Sequence, residues 1–231
     1  MSRYSALDAA LIVDTIRTLE RRIGERFPES GLRRVAAGLL GAAEAARSRT
    51  RELERPHIGL RIGIAALGLL FLAGVFVAVS SLRVSTHVAT ITDLVQTLES
   101  GVNDLFFVGV AIWFLTTLEG RRKRHLALQA VHELRSLAHI VDMHQLTKDP
   151  ELVTRPTPPT ASSPARTMRP EELGRYLDYC SELLSLTGKV AAMYVQRHHD
   201  PVVLDAVNDV EVLTIGMSRK IWQKISILER E

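Results

Sequence analysis

Between Ile62 and Leu82 the chain carries 21 consecutive residues without a formal charge, IGIAALGLLFLAGVFVAVSSL. At a rise of ~1.5 Å per residue such a helix is about 31 Å long, matching the ~30 Å hydrocarbon core of a bilayer. A helix buried in a soluble core rarely runs that far without a polar stripe, so a membrane span is expected here. A second run, Leu105 to Leu118 (LFFVGVAIWFLTTL), has 14 uncharged residues. Extending it back to Gly101 brings in Val102, Asn103 and Asp104. Phe106, Phe107, Trp113 and Phe114 make it apolar around its circumference, and it is read as a second span with Asp104 at the bilayer edge. Within the first run, Gly74 and Ala78 stand four apart, a small-residue pair that permits close helix packing in a membrane.

The flanking charges orient the pair. Arg83 is the one basic residue between the runs apart from His87. Arg47, Arg49, Arg51, Arg55 and Arg61 precede the first run, and Arg121, Arg122, Lys123 and Arg124 follow the second. The bias of basic residues toward the cytoplasmic face places both termini in the cytoplasm, in a cell membrane of the bacterial inner-membrane kind. No signal peptide is expected, because Asp8 and Asp14 leave no room for its apolar core. The expected partners of Arg55, Arg61, Arg121, Arg122, Lys123 and Arg124 are the anionic headgroups of the lipid bilayer. That also accounts for the pI of about 9.2 without nucleic acid, for which no basic stripe with interleaved aromatics is present.

Outside the runs the pattern is helical, and the predicted fold class is all-α. Residues 1–57 read as a cytoplasmic hairpin, with Leu7, Leu11, Ile12, Ile16, Leu19 and Ile23 on one face and a break at Phe27-Pro28-Glu29-Ser30-Gly31. Residues 58–119 form the two-span hairpin, with 83–100 expected as an external amphipathic segment bent along the outer surface. Residues 120–149 continue the second span as a cytoplasmic helix. The stretch 150–170 is a Pro/Ser/Thr-rich linker. Residues 171–231 form a terminal hairpin that turns at Asp200-Pro201, with the coiled-coil-like seam Leu173, Tyr176, Cys180, Leu183, Thr187, Val190 and Tyr194. Leu126, Leu134, Leu137 and Val141 are the strip on which this hairpin is expected to dock.

Chemistry is sparse. No phosphate loop, dinucleotide fingerprint or nucleophile elbow occurs, and the lone Cys180 excludes an internal disulfide. His125, His132 and His139 repeat every seven residues and share a face, but a heptad step of ~10.5 Å is too long for two of them to hold one ion. With Asp142 and Met143 they are expected to form a polar contact face toward the terminal hairpin or a neighbouring subunit, and no metal or cofactor is expected. The expected function is a non-enzymatic membrane protein whose cytoplasmic helices mediate self-assembly or partner binding. The alternative is an oligomeric pore or channel-like effector with a cytoplasmic sensing part. In architecture alone the chain resembles small two-span effectors of that kind.

Overall fold

The computed structural model describes residues 7–54, 58–84, 91–151, 158, 160–163, 168–196 and 200–229, and among these there are helices and no strands. The long helices in chain order are α1 (Ala9–Arg26), α2 (Gly31–Glu54), α3 (Ile58–Val84), α4 (Ile91–Leu146), α5 (Pro170–Ala192) and α6 (Pro201–Leu228). They divide into two compact units, Met1–Glu54 with Arg124–Glu231, and Arg55–Lys123. The segments read from sequence as separate hairpins, 1–57 and 171–231, thus share one unit with the second part of α4. Most of the 150–170 linker and the His198-His199 turn lie outside the described residues.

Local chemistry sets the helix ends in this bundle. Asp8 caps α1, its Oδ1 accepting from the Ala10 amide at 2.8 Å. Asp200 caps α6 in the same way, accepting from Val202 at 3.0 Å, with Pro201 at the first helical position. Its other carboxylate oxygen accepts from Arg124 Nε on α4 at 2.8 Å. At the start of α5, Glu172 reaches back to the Arg169 amide at 3.0 Å. Lys224 of α6 donates to the main-chain oxygens of Gln145 at 2.8 Å and Lys148 at 3.2 Å, covering the carbonyl end of α4.

α5 holds the middle of the bundle. It packs on α6, α1 and α2, and it buries Leu177 and Leu184 as well as the seam residues Leu173, Cys180, Leu183 and Val190. At roughly 1.5–3 kcal/mol for each fully buried large aliphatic side chain, this helix carries a large share of the apolar stabilisation. Phe27, at the α1–α2 turn, stands edge-on to Tyr176 and Tyr179 of α5, with ring centroids 5.4 and 6.2 Å apart. Arg22 of α1 lies over the Tyr179 ring and pairs with Glu182 at 3.0 Å. α4 contributes Ala127, Ala130, Val131, Leu134, Ala138 and Val141 to the same core.

Three expectations differ in detail. Val13 is buried on α1, whereas Leu7 and Leu11 are exposed. Leu126 is exposed, and Leu137 sits 3.5 Å from the place a Cβ would take on Gly38 of α2, so this part of the docking strip faces the N-terminal hairpin. Residues 85–90 lie outside the described residues, but 91–100 are the opening turns of α4 and not a separate amphipathic segment. No proline interrupts α4, and a glycine such as Gly101 costs a helix interior only ~1 kcal/mol, too little to break it.

The doubly used carboxylate of Asp200 makes a direct prediction. Burial pushes it up, but hydrogen bonds from Arg124, Val203 and Val202 outweigh this and hold it below the usual carboxylate value. A depressed carboxyl adds stability above its unfolded pKa, and that contribution is lost as pH falls through the folded one. Asp200→Ala should lower bundle stability at pH 7 by about 1–2 kcal/mol. The gap from the wild type, followed by hydrogen exchange of α6 amides, should close as acid protonates Asp200.

Candidate functional site: exposed apolar helices and a cleft in the bundle

Among the described residues of the unit 55–123, many large apolar side chains are on the outside. Leu69 and Phe76 of α3 are 72% and 73% exposed, and Phe106 and Trp113 of α4 are 64% and 65% exposed. Leu70, Leu72, Val77, Leu105, Phe107 and Phe114 are exposed as well. Singly exposed leucines are ordinary on any protein, but contiguous apolar surface of this extent marks a site that something else covers. Among the described residues α4 is the one helix with a stretch long and apolar enough to cross a membrane; the apolar stretch found in α3, Ile62–Val77, is shorter. Asp104 is exposed on α4. Nothing lies within 4 Å of the place a Cβ would take on Gly74, so that face is open. The side chains of Ala78 and Arg61, and Arg55 entirely, lie outside the described residues.

The basic cluster after the second run divides. Arg121 and Arg122 are exposed and Lys123 is half-buried. Arg124 belongs to the bundle and is held by Asp200. Its guanidinium is therefore already matched by a carboxylate.

The histidine face is solvent-exposed. His125, His132, His139 and Met143 are all exposed, and α4 meets the terminal hairpin through Arg124 and Arg135, paired with Asp200 and Asp209, and through the main-chain oxygen of Gln145. Asp142 accepts from the buried Gln145 amide at 2.7 Å. Among the described residues no three His, Cys, Asp or Glu side chains converge as a metal site. Among the described histidines, the one that enters the bundle is His144. It stands five residues after His139, a turn of about 140° around the helix, and so leaves the heptad face for the packed one. That offset is visible in the sequence, and the heptad reading passed over it.

His144 helps to form a cleft of about 510 Å³ between the α1–α2 turn, the end of α4 and the start of α5. Its imidazole lies directly against Gly31, where any side chain would collide with it. Arg26, Lys148, Glu29 and Glu172 bring charges of both signs to the rim. Lys148 lies 5.5 Å over the Tyr176 ring. Ser30 Oγ and, nearby in α4, Gln145 Oε1 are buried without a hydrogen-bond partner. Burial pushes the Tyr176 hydroxyl up, and it pushes the Cys180 thiol up to about 12, which keeps that sulfur protonated and inert. The cleft thus presents mixed charge over an aromatic floor, with no activated nucleophile among the groups described.

Comparison with family models, with characterised proteins and with solved structures finds no match to this chain.

Burial, reinforced by the charges of Arg34 and Lys148, pushes the His144 imidazole below its ordinary 6.5. A base depressed in the fold contributes its full stability above its unfolded pKa and loses it as pH falls from there toward the folded value. Acidification from above 6.5 should therefore weaken the bundle, and His144→Gln should flatten that slope. Thermal melts of both proteins across this range check it; the exposed histidines serve as the common background.

Proposed function

We propose that this chain is a non-enzymatic membrane protein that crosses the bilayer twice, through α3 and the first part of α4. Its helical bundle lies in the cytoplasm and mediates self-assembly or partner binding. The observation that carries this reading is the exposure of large apolar side chains along both helices, in a chain whose other helices each bury an apolar stripe in a core of their own. α3 spans 27 residues and contains the whole uncharged run, enough at ~1.5 Å per residue to cross the ~30 Å hydrocarbon layer. The basic residues before α3 and after the second run favour cytoplasmic termini. Arg121 and Arg122 are exposed and suited to anionic headgroups at about 1 kcal/mol each.

The bundle offers a feature suited to binding, a cleft with charges of both signs at its rim and the Tyr176 ring within it. A topology experiment tests the membrane reading. A reporter fused after residue 231 should be cytoplasmic and one inserted at Thr92 external, with the protein resisting alkaline extraction from membranes. Both reporters on one side would overturn the two-span arrangement. Release by alkali would overturn membrane insertion altogether, and solute flux through reconstituted liposomes would turn the reading toward a pore.

A further inference from the structure

The bundle buries one face of α6 and leaves on another a row unlike a solvated surface. Val212, Ile215 and Trp222 are 71%, 52% and 55% exposed. At ~100° per residue Ile215 and Trp222 lie within about 20° of one another around the helix, with Val212 about 60° to the side. A groove of about 490 Å³ runs beside them, and its far wall on α5 carries the small residues Ser181 and Ser185, which permit close approach. Tryptophan in such a setting is a frequent anchor of interfaces.

The α6 charges around this row have a symmetry, while Lys189 on the α5 wall donates to Ser185 Oγ at 2.7 Å. Glu211 precedes Ile215 by four residues and Arg219 follows it by four, and both line the same groove. They stand ~12 Å apart along the axis, too far to pair with each other. A parallel pairing with another α6 would set Glu211 against Glu211 and Arg219 against Arg219. An antiparallel pairing sets each against its opposite.

We propose that α6 packs antiparallel against α6 of a second copy of this chain, about a two-fold axis through Ile215. Glu211 then faces Arg219 of the second copy, and the same pair recurs on the other side of the axis. Val212 faces Ser218 of the second copy. Asn208, exposed on α6, faces Trp222 of the second copy and offers its amide oxygen to the indole N–H. A standard interface takes about 800 Å² from each partner, more than a single helix stripe provides, so the α5 wall of the groove takes part. This pairing rests on the self-assembly reading above and gives it an address.

The test uses the full chain in detergent. Light scattering should give the mass of two chains, or a multiple of two. Ile215→Cys should cross-link to itself on oxidation, while the native Cys180, fully buried, stays out of the reaction. Glu211→Arg and Arg219→Glu should each weaken the dimer by about tenfold or more, because each sets like charges opposite one another. Mixing the two single variants should restore pairing, since each then meets the charge it lacks, and that recovery also shows that neither variant is misfolded. An assembly that forms without the 215 cross-link and ignores the charge reversals would overturn this pairing and leave self-assembly standing. A mass of one chain would overturn both.

Discussion

A helix with apolar side chains on every side cannot be shielded by packing one stripe against a neighbour. α3 and the Phe106–Phe114 part of α4 are of this kind: apolar side chains leave them in all directions, half-buried on one face (Ile64, Leu67 and Phe71; Val108, Ala111 and Ile112) and exposed over the rest. Water would have to be ordered around each of these groups, at a cost of about 25 cal/mol per Å². A bilayer removes that cost over the full circumference, which no single protein contact does. The helices of the bundle follow the opposite rule. Each gives up one stripe to a common core and keeps charged residues elsewhere, as α1 does with Ile12, Ile16, Leu19 and Ile23 inside and Arg17 and Arg21 outside.

The bundle closes around α5, which is buried over more of its surface than α1 or α6. Tyr179 and Leu186, which fall outside the seam, are buried along with it. This allows α6 to pack on one part of α5 while α1 and α2 pack on others. Around that centre the polar contacts determine register more than they add stability. Exposed pairs such as Arg17–Glu44, at 2.8 Å, contribute little in water. The buried ends matter more. Asp200 closes the α6 N-terminus while holding Arg124, and Lys224 covers the carbonyls at the end of α4.

The elements were legible in the sequence because period and punctuation are local. Apolar spacing marked the helices, and the Phe27–Gly31 break and the Asp200-Pro201 turn marked ends of α1 and α6, whereas the cap at Asp8 is seen only in the structure. Which helices meet was much less legible, since several amphipathic stripes of similar spacing can pair in many ways. Leu137 was expected to hold the terminal hairpin and instead meets Gly38, where the absence of a side chain makes room. The amphipathic pattern of 83–100 suggested a bend, yet over 91–100 the backbone simply continues into the apolar run, because nothing there breaks a helix. The evenly spaced His125, His132 and His139 drew notice, while His144 enters the cleft. A regular repeat shows that residues share a face, but not whether that face is packed or wet.

The central claim is that two parts of this chain require different solvents, and local accessibility tests it most directly. Nitroxides placed through Leu69→Cys and Phe107→Cys in the full chain, reconstituted in liposomes, should relax readily with oxygen and weakly with a water-soluble nickel chelate. A label at Met143, exposed on the bundle, should show the reverse. If the chelate reached Leu69 and Phe107 as readily as Met143, these helices would stand in water and the membrane reading would be wrong.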